Sequence, residues 1–360
     1  MNFGINVFDF GAKGDGVTDD TAAIQRAIDY TAERGGGRIL FPFTKKGYRI
    51  ASPGREEYNG RRLRSQLVIP PGDANIYLEG EMPCRFLHSY QVRPLDCEKK
   101  YTPTRFWENR DFDNTVLFSD WDAPEVRDPT ERPWSVIAAP DGDSCAGRFS
   151  VDRFSMANLD IRVRMDRDRM YPTESAANLQ NISRVHVCDC QFCVNESVGD
   201  TLLGKELQEN PCHTVGLMTS GDQNDHNVIR SAAAQGFKYG FVLGEHVVAD
   251  YLYVHNCEYG VIFHDSSHLS VIEHIVAQHN TRIIATTEGE LFGHRPGRCY
   301  VLIGSVNFED GIGLRPAISQ LKYGVWDPEH RLRGSVAWHE PWGQKKFPAE
   351  CGERFKINRI

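Results

Sequence analysis

Four acidic residues fall at matching places in consecutive short segments of the second half of the chain. They are Asp222, Glu245, Asp265 and Glu288. Each follows a strand-like apolar run, and parallel strands that stack on one another lie about 4.8 Å apart. Neighbouring carboxylates at that spacing repel each other, so one of them should keep its proton while the other is ionised. A pair of this kind can act as proton donor and anion in the cleavage of a glycosidic bond.

A second group of polar residues lies inside the apolar runs that follow. Arg230, Tyr253 and Glu273 align with one another, and His274 is next in sequence to Glu273. Their side chains are expected to point outward from a sheet, where Arg230 could bind a carboxylate or hydroxyl groups. His264 stands beside one of the four acidic residues, and an imidazole next to a carboxylate suits proton transfer near neutral pH. An exposed Arg–Glu pair and solvated turns are the alternative explanation for these residues.

The predicted catalytic residues are Asp265 and Glu245 as the leading pair, followed by Glu273 and Asp222. The predicted substrate-binding residues are Arg230, His264, Tyr253, Glu288 and His274. Carboxyl groups on adjacent turns of a stack would be about 5 Å apart, which suits a retaining mechanism, whereas alternate turns give about 9–10 Å, which suits inversion. The sequence leaves that choice open.

The elements that would position these residues repeat along the chain. Gly216, Gly240 and Gly260 recur at intervals of 24 and 20 residues, each inside a short apolar run. A fixed period near 20–25 residues with short strands and polar turns is typical of a solenoid. One turn of such a solenoid, a rung, buries its apolar side only by stacking on its neighbours. Earlier rungs are predicted at 148–164 and 181–194 and a later one near Arg282, with a β-sandwich as the alternative.

The first forty residues predict a strand, a tight turn, a helix and a second strand. Residues 6–10 have strand character, and the following Gly and Asp-Gly residues favour a turn. A helix is predicted from about residue 20 to residue 33, with Thr18 or Asp19 at its N-cap. Its apolar positions have helical spacing, and three glycines follow it. A strand is expected at 38–42.

The segment from Asn6 to Pro42 resembles the N-terminal signature of the pectate-lyase-like superfamily. The resemblance implies an all-β fold, a right-handed parallel β-helix with an N-terminal capping helix. It also implies activity on carbohydrates, because the superfamily includes glycoside hydrolases, lyases, epimerases, fructotransferases and phage tailspikes. In this motif the acidic residues have structural roles, so Asp15, Asp19 and Asp20 are not expected to be catalytic.

The whole chain, residues 1–360, is predicted to form a single β-helix domain. Residues 1–42 would be the cap motif, residues 98–134 an inserted loop, and residues 311–360 an irregular C-terminal tail. The formal net charge of −8 argues against a nucleic-acid partner, which needs a basic surface. No apolar stretch is long enough for a membrane span, and no leader pattern precedes the cap. A cytoplasmic location is therefore expected.

The cysteines predict neither a disulfide framework nor a metal site. Ten cysteines in 360 residues are too sparse for a disulfide scaffold. Cys188, Cys190 and Cys193 are close in sequence, but no second Cys/His pair with the spacing of a zinc site completes them. No cofactor is predicted, although a lyase of this superfamily would be expected to use calcium.

The predicted function is hydrolysis of a glycosidic bond by paired carboxylates. The expected substrate is an oligosaccharide or a small glycoside. Three alternatives remain open at this stage: a lyase that acts on uronic acids, a fructotransferase or difructose-anhydride hydrolase, and a glycan-binding or tailspike-like solenoid without catalysis. The resemblance also implies that the protein could be a homotrimer.

Overall fold

The computed structural model of the 360-residue chain describes most of the first 309 residues and two short strands beyond them. The described ranges are 4–84, 111–142, 149–166, 171–194, 210–219, 226–263, 269–278, 282–286, 291–292, 300–309, 338–340 and 343–345. In these ranges no helix is both long enough and apolar enough to cross a membrane.

The N-terminal cap consists of a short strand, a 3-10 helix and one α-helix. They are β1 (Ile5–Asn6), the 3-10 helix Val7–Phe10 and α1 (Thr21–Glu33). The buried face of α1, which includes Ile24 and Ile28, belongs to the main hydrophobic core. The predicted helix is confirmed, but its N-cap is Asp20 rather than Thr18 or Asp19. Asp19 lies just outside the helix, where its Oδ1 accepts a hydrogen bond from the Thr21 N–H at 3.1 Å.

The remaining strands form successive rungs. The first two rungs contain β2 (Gly36–Phe41), β3 (Tyr48–Ile50), β4 (Arg55–Tyr58), β5 (Arg61–Val68), β6 (Asn75–Gly80), β7 (Val116–Ser119) and β8 (Trp134–Ala138). The next two contain β9 (Val151–Ala157), β10 (Asp160–Val163), β11 (Met165–Asp166), β12 (Tyr171–Pro172), β13 (Glu174–Leu179), β14 (Ile182–Cys188), β15 (Cys190–Val194) and β16 (Val215–Thr219). The last contain β17 (Asn227–Gln235), β18 (Tyr239–Leu243), β19 (Val247–His255), β20 (Tyr259–Phe263), β21 (Leu269–Gln278), β22 (Arg282–Thr286), β23 (Tyr300–Glu309), β24 (Trp338–Glu340) and β25 (Gly343–Lys345).

Two large sheets run along the solenoid, and nearly all their strand pairs are parallel. The first sheet has the strand order β1-β2-β6-β9-β14-β17-β19-β21-β23-β24-β25, with β3, β7, β10 and β15 branching from it. The second sheet has the order β22-β20-β18-β16-β13-β8-β5-β4. Each strand therefore pairs with its counterpart one rung away rather than with its neighbour in sequence. This is a parallel β-helix, and the rungs predicted near 148–164, 181–194 and Arg282 are confirmed.

The three recurring glycines mark places where consecutive rungs approach closely. A Cβ atom added to Gly240 would lie 2.5 Å from the carbonyl oxygen of Gly260, and one on Gly216 would lie 2.6 Å from that of Gly240. A Cβ on Gly260 would lie 2.7 Å from the carbonyl oxygen of Ile283. The period read from the sequence is thus a steric requirement of the stack, because only a residue without a side chain fits there.

Two long connections lead into strands of the second sheet from strands of the first. Residues 120–133 lead from β7 into β8, and residues 195–214 lead from β15 into β16. Part of the first connection lies over the outer face of the sheet, where the Pro129 carbonyl accepts a hydrogen bond from the Phe292 N–H at 2.7 Å. The predicted inserted loop at 98–134 is therefore not a single insertion, because strand β7 of the second rung lies within it.

Candidate active site

Only part of the predicted carboxylate series is in the described structure. Asp222, His264, Asp265 and Glu288 lie outside the described residues. Glu245 is described, in the turn between β18 and β19, and its side chain is 1% exposed. The paired-carboxylate arrangement of Glu245 with Asp265 therefore stays a prediction.

The second predicted series is rearranged by the strand register. Arg230 and Glu273 both lie on the exposed outer face of the first sheet, and between them stands Asp250. Arg230 Nη1 is 2.9 Å from Asp250 Oδ2, and the two side chains are 56% and 42% exposed. Tyr253 was expected in this row but lies further along β19, where it pairs with Ala233 and Val276.

The remaining two predicted residues are also separated by the register. Tyr253 is 5% exposed, and its hydroxyl donates to Gln278 Oε1 at 2.6 Å. His274 is exposed beside Glu273, and its Nδ1 is 2.7 Å from Ser305 Oγ. The structure thus brings Arg230, Glu273 and His274 to one exposed face and places Tyr253 on a buried one.

The outer face of the second sheet carries a different cluster, which sequence reasoning did not select. An apolar patch covers β16, β18 and β20 on this face. It is formed by Val215, Met218, Tyr239, Val242, Tyr259, Ile262, Leu291 and Phe292. Phe292 packs edge-on against Tyr239 with ring centroids 6.2 Å apart, and Tyr239 is 5.5 Å from the ring of Tyr259. Tyr239 and Phe292 are buried and Tyr259 is half-buried, so the cluster packs against the residues that cover the sheet, and Tyr259 lies at its more exposed margin.

At the margin of this patch, His213 and Tyr239 are hydrogen-bonded to each other. His213 Nδ1 lies 2.7 Å from the Tyr239 hydroxyl oxygen, and the ring centroids are 5.8 Å apart. His213 is half-buried and Tyr239 is 7% exposed. The strands fix this contact, because Val215 of β16 pairs with Tyr239 of β18 and His213 lies two residues before Val215.

The surroundings of His213 keep its ring neutral. The pKa of His213 is lowered to about 4, chiefly by burial and also by the ammonium group of Lys238. The backbone carbonyl of Arg127 and the carboxylate of Asp128 act in the opposite direction but do not offset the burial. A ring whose proton is on Nε2 suits both neighbours, because Nε2–H faces the carbonyl while Nδ1 accepts from the Tyr239 hydroxyl.

Tyr239, in turn, is held as a neutral phenol. Burial raises its pKa well above the ordinary value, and the nearby Glu258 carboxylate adds to the shift. Lys238 Nζ lies 5.9 Å from the Tyr239 ring centroid and donates to the Asn210 carbonyl oxygen at 3.1 Å. The site thus combines a neutral base, a neutral phenol and a cation within one corner of the sheet. These are the groups needed to move a proton next to a negatively charged substrate.

A second buried acid lies close to the same sheet. Glu174, the first residue of β13, is 2% exposed, and neither of its carboxyl oxygens makes a well-formed hydrogen bond among the described residues. Burial raises its pKa to about 8, with the neighbouring Ser119 hydroxyl opposing the shift. Ser119 also donates to Gln66 Oε1 at 2.9 Å, and the effect of burial outweighs that of Ser119, which favours the neutral acid at Glu174.

No metal site is formed in the parts of the chain that the structure describes, where no three His, Cys, Asp or Glu side chains are grouped to hold an ion. Two of the three clustered cysteines, Cys190 and Cys193, are buried, and burial raises the pKa of each thiol to about 12. These thiols are therefore poor candidates for thiolate chemistry.

Residues 4–59 match the family model described as rhamnogalacturonase A/epimerase, pectate lyase-like. The match falls on the N-terminal cap and the first rung, and the described residues fold as a parallel β-helix. The N-terminal segment therefore resembles the pectate-lyase-like family, and the described strands form a parallel β-helix. The resemblance seen in the sequence is confirmed, and the fold it implies is confirmed with it.

The curated relatives of this β-helix protein match it over short segments. Alginate lyase 7 of Azotobacter vinelandii is 47% identical over 75 residues, which is 21% of this chain and 8% of that protein. Mannuronan C5-epimerase AlgE5 of the same bacterium is 54% identical over 55 residues, which is 15% of this chain and 5% of that protein. The chain therefore spans less than a tenth of the length of either relative.

Solved structures of similar chains include two carbohydrate-active β-helix proteins. One is the DFA-IIIase from Arthrobacter chlorophenolicus A6, with a TM-score of 0.43, 10% sequence identity, and coverage of 93% of this chain and 76% of that chain. Another is the A-module of the Azotobacter vinelandii mannuronan C-5 epimerase AlgE6, with a TM-score of 0.29, 16% identity, and coverage of 93% and 87%.

Proposed function

We propose that this β-helix protein is a carbohydrate-active enzyme that cleaves a uronic-acid-containing polysaccharide by β-elimination at His213 and Tyr239. The observation that carries the proposal is the 2.7 Å contact between His213 Nδ1 and the Tyr239 hydroxyl, in surroundings that keep both groups neutral. A general base must lie within hydrogen-bond reach of the proton that it takes, and this pair meets that condition.

The reaction needs one proton to be removed and one to be delivered. As the Tyr239 oxygen takes the proton from the carbon next to the sugar carboxylate, the hydroxyl proton passes to His213 Nδ1. Tyr239 then gives a proton to the departing glycosidic oxygen, and His213 returns its extra proton to Tyr239. A carbon–carbon double bond replaces the broken carbon–oxygen bond, and no water is consumed.

Lys238 is suited to hold the sugar carboxylate during this step. Its ammonium group has three donors, of which one is used by the Asn210 carbonyl. A cation near the carboxylate stabilises the negative charge that develops there when the neighbouring proton is removed. A neutral sugar would gain nothing from this charge, so the site favours an acidic polymer.

Elimination fits this arrangement better than epimerisation does. Inversion of a carbon centre requires proton removal on one face of the sugar and proton delivery on the other. The His213–Tyr239 pair acts on one face only, which suits removal and delivery on the same side. The names of alginate lyase 7 and mannuronan C5-epimerase AlgE5 support acidic sugars as the substrate class, although their matches lie in the N-terminal part of the chain.

The test is a panel of polymers incubated with the purified protein: polymannuronate, polyguluronate, polygalacturonate and a neutral β-glucan, each with and without calcium. Elimination produces an unsaturated sugar, which absorbs in the ultraviolet. We expect absorbance to rise with one or more of the acidic polymers and to stay flat with the neutral one. Strand scission of an acidic polymer without new absorbance would overturn the proposal.

A glycoside hydrolase is the second candidate, and a specific observation favours it. Asp250 and Glu273 stand side by side on adjacent strands of the first sheet, with Arg230 bound to Asp250. Two carboxylates about 5 Å apart suit a retaining hydrolase. Activity that survives Tyr239→Phe but is lost in both Asp250→Asn and Glu273→Gln would favour this candidate.

A further inference from the structure

The side chain of Asn210 makes hydrogen bonds through both its oxygen and its nitrogen to the segment that carries His213. Its Oδ1 accepts a hydrogen bond from the Cys212 N–H at 2.8 Å, and its Nδ2 donates to Thr214 Oγ1 at 3.4 Å. Asn210 is 2% exposed, and Cys212 and Thr214 are buried as well. The side chain is thus hydrogen-bonded to the residues on both sides of His213.

The local sequence explains why the chain turns at Asn210. An asparagine that bonds to the N–H two residues on forms a side-chain version of a backbone turn, and Asn-Pro favours the start of a turn. After the turn, the Thr214 carbonyl accepts from the Tyr239 N–H at 3.0 Å, which joins the segment to the next rung. The two side-chain hydrogen bonds of Asn210 are called the clamp below. His213 is therefore held between this clamp and the first hydrogen bond to β18.

The main chain of Asn210 also contacts the cation of the site. Its carbonyl oxygen accepts from Lys238 Nζ at 3.1 Å, and Lys238 in turn lies against the Tyr239 ring. One buried residue consequently connects the base, the phenol and the cation. Errors of about 1 Å in the position of a catalytic group can cost about a hundredfold in rate, so a clamp of this kind has a measurable effect.

We propose that Asn210 is a positioning residue for His213 and Tyr239, because its side chain fixes the segment that carries the imidazole and its carbonyl seats Lys238 beside them. This inference rests on the proposed function for its kinetic consequences. Its structural part, the placement of the His213 ring, can be tested without any substrate.

The experiment compares Asn210→Ala and Asn210→Asp with wild type in two measurements. The first is the titration midpoint of the His213 imidazole, followed by NMR on the full chain. In Asn210→Ala the ring is released to water, so we expect its midpoint to rise by about one pH unit or more from its low value. Asn210→Asp keeps the Oδ1 acceptor and the turn but adds a carboxylate, which also raises the midpoint.

The second measurement is steady-state kinetics, which separates kcat from KM. We expect kcat to fall about tenfold or more and KM to change little.

Asn178→Ala is the matched control. Asn178 is 3% exposed, lies in β13 of the same sheet and accepts from the Gln180 N–H at 3.3 Å, the same bond to the second residue on. This variant should leave the His213 midpoint unchanged. An unchanged midpoint in a folded Asn210→Ala would overturn the proposal. If that variant does not fold, an unchanged midpoint in Thr214→Val, which removes the partner of Asn210 Nδ2, would do so. A raised midpoint in a protein without elimination activity would support the clamp and overturn the proposed reaction alone.

Discussion

His213 Nδ1 and the Tyr239 hydroxyl oxygen, from neighbouring rungs and 26 residues apart in sequence, are separated by 2.7 Å. The parallel pairing of Val215 with Tyr239 brings them together. His213 belongs to the connection before β16 and Tyr239 is the first residue of β18, so the contact forms where the second sheet meets a connection. His213 is half-buried and Tyr239 is 7% exposed, whereas Glu174 on the same sheet is 2% exposed.

Removal of the Tyr239 hydroxyl should abolish most of the activity. Tyr239→Phe keeps the ring and its packing against Phe292 but removes the proton that the reaction needs. General acid–base groups typically contribute about 10²–10⁴-fold, so kcat on an acidic polymer should fall at least about a hundredfold. The same substitution at Tyr251, half-buried on the first sheet, serves as control and should leave kcat within about twofold of wild type. Equal losses in both variants would contradict the assignment.

Neutralisation of Lys238 should weaken the handling of acidic substrates. Lys238→Met preserves much of the side-chain length and removes the charge. Hydrogen bonds to charged groups are worth about 1.5–3 kcal/mol, so kcat/KM should fall by about 10- to 150-fold. Because the ammonium group lowers the pKa of His213, the same variant should raise that pKa. Lys45→Met, in the N-terminal cap, is the control, and steady-state kinetics with NMR titration provide both measurements.

Acid should destabilise the protein partly through His213. Its pKa is about 4 in the folded protein and about 6.5 when unfolded, so between these values the unfolded chain binds more protons. The stabilising contribution is complete above about pH 6.5 and is lost as the pH falls towards 4. His213→Gln should therefore show a smaller drop in urea midpoint between pH 7 and pH 4.5 than wild type. The equivalent substitution at the exposed His274 should not reduce the drop, and a matching reduction there would contradict this explanation.

A rise in pH should destabilise the protein partly through Glu174, which is the opposite direction to the effect of His213. The pKa of Glu174 is about 8 in the folded protein and about 4.5 when unfolded, so the folded state holds the proton more tightly. Its contribution to stability is complete below about pH 4.5 and declines as the pH rises, by up to about 1.4 kcal/mol per unit, until the folded carboxyl ionises near pH 8.

Glu174→Gln keeps a neutral side chain of the same length and removes this titration. The variant should match wild type in urea unfolding at pH 5 and be more stable at pH 9. Glu273→Gln, on the exposed face, is the control and should follow wild type at both values. A Glu174→Gln variant whose stability keeps a constant offset from wild type at both pH values would refute a buried neutral acid at this position.

A methyl group at Gly240 should disrupt the stacking of the rungs. The added Cβ would lie 2.5 Å from the Gly260 carbonyl oxygen, which belongs to the backbone and cannot rotate away. Overpacking of a tight core typically costs about 1–3 kcal/mol, and the thermal midpoint of Gly240→Ala should fall accordingly. Val248→Ala, at a residue that is 39% exposed, should shift the midpoint much less. A neutral Gly240→Ala would show that the rungs can separate freely at this position.

Local patterns were sufficient to predict the fold. Glycine spacing, apolar runs and the N-terminal motif identified the rungs, since each of these features is imposed by contacts within one rung or between two.

The predicted alignment of individual residues between rungs was less accurate. The connection after β16 has seven residues, 220–226, whereas that after β18 has three, 244–246. Counting from the glycines therefore placed Tyr253 beside Arg230, where the register places Asp250.

The candidate site was harder to find in the sequence because it depends on the path of long connections. His213 lies near the end of the connection at 195–214, whose length gives no indication that its end meets β18. The signal that could have found it is the Asn-Pro turn at Asn210, which fixes the direction of the chain just before a histidine. The predicted Asp222, Asp265, Glu288 and His264 lie outside the described residues and remain predictions.

The most direct test of the central claim is to digest an acidic polymer in water labelled with heavy oxygen and to weigh the new chain ends. A β-elimination by His213 and Tyr239 consumes no water, so the products should carry no label and should add up to the mass of the starting chain. Label at each new reducing end, with the mass of one water gained per cleavage, would establish hydrolysis and contradict the proposed reaction.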